Sequence, residues 1–143
     1  TKDALALTLF ERGYRQILSR LGAAVARHDG FASQFSAYLT AFAAFHDAYP
    51  DASIFVTDNL AVMWRQMPDD MRQRTILTLT RDLLLRGRQE GLVSDRTDIA
   101  LQLVLVAGTL GQMTRQLYLQ SLDGPAVRLV PGTGRMLRAG LAA

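Results

Sequence analysis

Apolar positions recur at spacings of three and four along almost the whole chain, and no stretch alternates polar and apolar residues for long enough to make a strand. The pattern predicts an all-α fold, an antiparallel bundle of about six helices in a single domain. A first helix is expected from about Lys2 to Arg27, with Thr1 as N-cap and Asp3 suiting the helix dipole. Phe10, Tyr14, Ile17, Leu21 and Val25 line one face. Gly13 and Gly22 interrupt it, each costing about 1 kcal/mol relative to alanine, which is tolerable where a neighbouring backbone comes close. His28-Asp29-Gly30 reads as a turn.

The second helix carries the sharpest pattern. Phe31, Phe35, Tyr38, Phe42, Phe45 and Tyr49 form one aromatic stripe, and Pro50 ends the helix. Asp51 or Ser53 is expected to cap a third, shorter helix with Val56, Leu60, Met63 and Met67 inward and Trp64 beside them. Pro68 suits the first turn of a fourth helix reaching Gln89 or Glu90, with Gly91 ending it. Arg74, Arg81 and Arg88 then share a solvated face, supported by Asp70–Arg74 and Asp82–Arg86 pairs four residues apart.

A fifth helix is expected to start at Asp95 or Thr97 and reach about Leu122. Ile99, Leu103, Val106, Leu110, Met113 and Leu117 form a full apolar stripe on it. A second face carries Leu101, Val104, Leu105, Ala107, Gly108, Gly111 and Tyr118. A helix apolar on two faces must be covered on two faces, and small residues let a partner helix approach closely. The candidate interface is therefore Leu101, Val104, Leu105, Gly108, Gly111, Gln112, Arg115, Tyr118 and Leu119, joined by Met136 and Leu137 from the tail. The tail, Ala126 to Leu141, reads as a helix broken or kinked near Pro131 and Gly132.

Composition narrows the chemistry. The net charge is +3, carried almost wholly by scattered arginines, with Lys2 the one lysine; that is too little and too dispersed for a nucleic-acid patch. Without cysteine there is no disulfide framework, thiolate metal site or thiol nucleophile. His28 and His46, the two histidines, fall on different elements without metal-ligand spacing. No serine sits in a nucleophile elbow, and Gly132-Thr133-Gly134 lacks the strand and lysine of a phosphate loop. An enzyme, a metal and a cofactor are thus not expected. Ile99 to Gly111, the longest apolar run, is too short to span a bilayer, and no signal peptide is visible, so a cytoplasmic location is expected. The chain opens on Thr1 rather than Met, which suggests an upstream segment.

The aromatic stripe admits two readings. It is either core or one wall of an apolar pocket, since bulky rings opposite adaptable methionines suit a variable ligand. In the second reading the lining is Phe35, Tyr38, Phe42, Phe45, His46, Phe55, Asn59, Met63, Trp64, Leu79, Leu83, Leu110 and Met113, with His46, Asn59, Gln66 and Trp64 supplying polar contacts.

The order of these signals resembles a known family. Thr1-Lys2-Asp3-Ala4-Leu5 is similar to the segment that leads from the recognition helix into the regulatory domain of bacterial TetR-type transcriptional regulators. Gly87-Arg88-Gln89-Glu90-Gly91-Leu92-Val93 resembles that family's Gly-x-x-x-Gly-x-hydrophobic turn. Asp95, Asp98 and the Ile99 helix then follow as its acidic stretch and dimerisation helix do, and Arg138-Ala139-Gly140-Leu141 is similar to its ending. The resemblance implies a C-terminal regulatory domain without its helix-turn-helix. It also implies a homodimer built on the last two long helices and a small hydrophobic or amphipathic effector among the middle ones. Operator DNA, in a repressor's role, would be met only through the absent N-terminal domain. The alternative is a helical module that binds a different protein and no small molecule.

Overall fold

The aromatic helix is the axis of the molecule. In the computed structural model, which describes residues 1–143, the chain is an all-helical bundle. Its elements are α1 (Lys2–Ala26), α2 (Phe31–Ala48), α3 (Pro50–Met63), a 3₁₀ turn (Trp64–Gln66), α4 (Asp69–Gln73), α5 (Ile76–Gln89), α6 (Ile99–Tyr118) and α7 (Ala126–Leu141). α2 packs against α1, α3, α5 and α7, whereas α6 touches α3, α5 and α7 along one side only.

The core follows the stripes. Phe10, Tyr14, Ile17 and Leu21 of α1 join Phe31, Phe35, Tyr38, Leu39 and Phe45 of α2 in one buried cluster that also includes Met63, Met67 and Met71. Consecutive rings on α2 stack, with centroids 5.2 Å apart for Phe31–Phe35 and 6.4 Å for Phe35–Tyr38. Arginines cover the stripe's edges: Arg138 lies 5.6 Å from the Phe35 ring, and Arg20 lies over both Phe45 and Tyr49.

Three helix N-termini are capped by side chains from other helices. The Phe31 N–H, at the start of α2, donates to both carboxylate oxygens of Glu90 (3.2 and 3.0 Å). Asp47 of α2 accepts from Ala126 N (2.7 Å) and Val127 N (3.1 Å), the first amides of α7. Ile76 N, at the start of α5, donates to the Tyr14 hydroxyl (2.9 Å). Each cap satisfies an amide that its own helix cannot, so each also fixes one helix against another. The end of α5 is local instead: Gly91, at φ 74°, lets Leu92 N reach Gly87 O (2.9 Å) and Gly91 N reach Arg88 O (3.0 Å).

Several boundaries differ from expectation. α3 begins on Pro50 itself, capped by neither Asp51 nor Ser53. The expected fourth helix is two, parted at Arg74, because Thr75 and Thr78 form a capping box that starts α5 afresh. That break parts Asp70 from Arg74, and Asp70 pairs with Arg15 instead; within α5, Arg86 pairs with Glu90 rather than with Asp82. Arg88 leaves the solvated face and donates to Gln102 Oε1 (2.9 Å) and Thr97 O (2.6 Å). α6 starts at Ile99 because Asp98, not Asp95 or Thr97, accepts from Ala100 N (2.9 Å). It ends at Tyr118, where Ser121 N and Leu122 N fold back onto Gln116 O. α7 runs unbroken through Pro131. Pro131 and Val127 are both exposed, so the carbonyl that loses its donor is open to water.

Candidate functional site

Eleven of the thirteen candidate lining residues lie in or against one hydrophobic core. Phe35, Tyr38, Phe45, Met63, Leu83, Leu110 and Met113 belong to one buried core, with Phe42, Phe55, Trp64 and Leu79 packed against it. None of the five principal clefts is lined by an aromatic residue of this set; only Leu79, Leu83 and Met113 reach one.

Tyr38, His46 and Asn59 already have hydrogen-bond partners within the chain. Thr80 donates its hydroxyl proton to Ile76 O (2.7 Å), so the Tyr38 O–H is the donor in the 2.8 Å Tyr38–Thr80 bond. Burial pushes the Tyr38 hydroxyl up to about 12, which keeps it a donor. His46 is buried with its Nδ1 3.0 Å from Ser53 Oγ, and burial holds its pKa below the ordinary value of 6.5. Asn59 donates back to Phe55 O (2.8 Å) on its own helix. From Phe31 to Phe45 the stripe is core, with Phe42 half-buried at its edge, and Tyr49 at its end is exposed. Nor do the described side chains bring together three histidine or carboxylate groups that could hold a metal ion.

The second face of α6 behaves differently. Leu101, Val104 and Leu119 are 61%, 65% and 69% exposed, and Met136 of α7 beside them is 67% exposed. Leu105, Gly108, Gln112 and Tyr118 are also exposed. Arg115 is the one charged residue among the 20 of α6. It is held by Asp58 of α3 (2.7 Å), and Tyr118 donates to Asp51 (3.0 Å). That hydrogen bond with the carboxylate raises the Tyr118 pKa. Two residues expected on this face turn elsewhere. Gly111 sits half-buried against Thr57, and Leu137 is in the core because α7, unbroken, points it toward α2. No helix is long and apolar enough to cross a membrane.

Two clefts flank these regions. One, of about 550 Å³, lies between α6 and α7 and is floored by Met113, Leu122, Leu129 and Met136, with Gln112, Gln116 and Arg128 around it. The other, of about 560 Å³, lies between α1 and α5 and contains Arg15, Leu18, Ser19, Gly22 and Ala23 of α1 opposite Arg74, Thr75, Thr78, Leu79 and Asp82. Apart from Leu79, none of these α1–α5 residues is a sequence candidate. The one signal was Gly22, an unexplained glycine inside a helix.

Compared with protein-family models, with curated proteins and with solved structures, the chain finds no match.

Proposed function

We propose that this chain is the effector-sensing and dimerisation domain of a one-component transcriptional regulator of the TetR type, pairing with a second copy through α6 and α7. The observation that carries the reading is the exposed face of Leu101, Val104, Leu105, Leu119 and Met136, on a helix whose one charge is already paired. Large apolar patches of this kind mark interaction sites. The total accessible surface supports it. A compact monomer of 15.8 kDa should expose about 7,300 Å², and this chain exposes 8296 Å². The excess is comparable to the roughly 800 Å² that each partner buries in a standard interface. Gly108 leaves room for a helix to cross closely, and the α6–α7 cleft can receive a side chain from across a two-fold axis.

In this reading α1 is the helix that leads toward a DNA-binding domain. An effector favouring one position of α1 shifts the population of dimers whose reading heads fit their half-sites. The small effector and the operator are those that the resemblance to that family implies.

One observation favours a second reading. The charges on α6 and α7 are Arg115, Arg128, Arg135 and Arg138, with no acidic residue. An acid-rimmed partner of another kind would complement them. Against this, Arg115 is neutralised by Asp58, and Arg138 is turned inward onto Phe35 and Ser36. Sedimentation velocity separates the two readings. A dimer at micromolar concentration supports self-pairing, and a monomer that stays monomeric favours the heteromeric module.

A further inference from the structure

We propose that the cleft between α1 and α5 binds a small amphipathic carboxylate, its anionic head at the Arg15–Arg74 end and its apolar chain running along Gly22 toward Ala23. The site deepens the effector-sensing reading above, and its effect on α1 rests on that reading; binding itself does not.

The two helices run side by side through this cleft in the same direction. Tyr14 meets Ile76 at one end, and Val25 shares a smaller cleft with Leu79 and Leu83 further along. Arg15 and Arg74 therefore sit together at the first end, and Asp82 sits toward the other. Arg15 is partly neutralised by Asp70 (3.1 Å), whereas Arg74 takes part in no ion pair. The field along the cleft thus draws a carboxylate to the arginine end and repels it from the Asp82 end. Leu18, Ala23 and Leu79 supply apolar wall, and the volume of about 560 Å³ falls within the roughly 300–1,000 Å³ usual for small-molecule sites.

Gly22 ties the cleft to a ligand. Glycine is the costliest ordinary residue inside a helix after proline, so it needs a reason. Gly13 on the same helix has one: a Cβ there would come 3.0 Å from Val56 Cγ2. At Gly22 a Cβ would meet nothing within 4 Å. No neighbour in the chain requires that glycine, yet it lines the cleft, and what its missing side chain preserves is the opening.

The test is calorimetric titration of the full chain with dodecanoate, dodecanol and dodecylammonium, for wild type and for Gly22→Leu, Gly22→Ala and Arg74→Gln. Saturable dodecanoate binding is expected, at least ten-fold tighter than dodecylammonium. Gly22→Leu should weaken dodecanoate and dodecanol by ten-fold or more, while Gly22→Ala, which fills less of the cleft and favours the helix, should weaken both by about two- to three-fold and raise Tm. Arg74→Gln should weaken dodecanoate three- to ten-fold and leave dodecanol unchanged. The proposal is overturned if none of the three ligands saturates, if Gly22→Leu binds dodecanoate as wild type does while its melting remains cooperative, or if Arg74→Gln leaves dodecanoate binding unchanged. A Gly22→Leu chain that fails to fold passes the decision to Gly22→Ala and Arg74→Gln; stable Gly22→Ala with unweakened dodecanoate binding then counts against the site. Sedimentation run alongside keeps the two readings apart. A dimer without dodecanoate binding defeats the site alone, and a monomer that binds dodecanoate defeats the regulator reading alone.

Discussion

α2 and α6 each carry a long apolar stripe at spacings of three and four, and the fold treats them in opposite ways. α2 lies at the centre, where α1, α3, α5 and α7 close over Phe31, Phe35, Tyr38 and Phe45. α6 lies at the edge. It spends Val106, Leu110 and Met113 on the core and leaves Leu101, Val104 and Leu119 in water. Helical spacing tells which residues share a face; it does not tell what covers that face. Phe31, Phe35, Tyr38 and Phe45 find their cover within the chain. The smaller residues of α6 leave a surface onto which another helix can fit.

The contrast can be broken at its strongest point first. Phe35→Ala should cost about 3–5 kcal/mol, because a fully buried ring leaves a cavity that stiff neighbouring rings cannot fill. Urea denaturation measures it, and a cost under 1 kcal/mol would mean the stripe encloses space rather than filling it. The opposite behaviour is expected on α6. Leu101→Glu with Val104→Glu should leave the helical circular dichroism of the monomer intact while weakening self-association by well over ten-fold, since both positions already face water in the single chain. A variant that unfolds instead would place those residues in the monomer's own core.

Smaller effects sharpen how α2 is held. Asp47→Ala removes the cap on α7 and should destabilise the fold by about 1 kcal/mol, read from the shift in denaturation midpoint. Glu90 gives the smallest effect, and it depends on pH. The Phe31 N–H, then Arg86, hold its carboxyl below the ordinary value of 4.5. Its contribution is therefore fully present above that value and lost as pH falls through the lowered one. Glu90→Gln should lower Tm slightly at neutral pH, and the difference from wild type should vanish in acid.

The all-helical class, the N-cap at Thr1, the stripe on α2 and the two-faced character of α6 were all legible in the sequence, because each rests on local spacing. The closing of α2 was not. Phe35 and Tyr38 read equally well as core or as pocket wall until α5 supplied Thr80 and α7 supplied Arg138. Tertiary caps were equally hidden: Asp47 and Ala126 lie 79 residues apart, so no local motif joins them. The break before α5 had a local cause in Thr75 and Thr78, which the charge pattern across Asp70, Arg74, Asp82 and Arg86 masked. Gly13 and Gly22 look alike in the sequence. Only the packing shows that one faces Val56 and the other an open cleft.

The central claim is that the exposed face of α6 belongs to an interface with a second copy. Sedimentation velocity of the full chain across a micromolar concentration series tests it most directly. A boundary at the dimer mass is predicted, returning to the monomer mass in the Leu101→Glu, Val104→Glu variant. A stable, folded monomer throughout the series would contradict it.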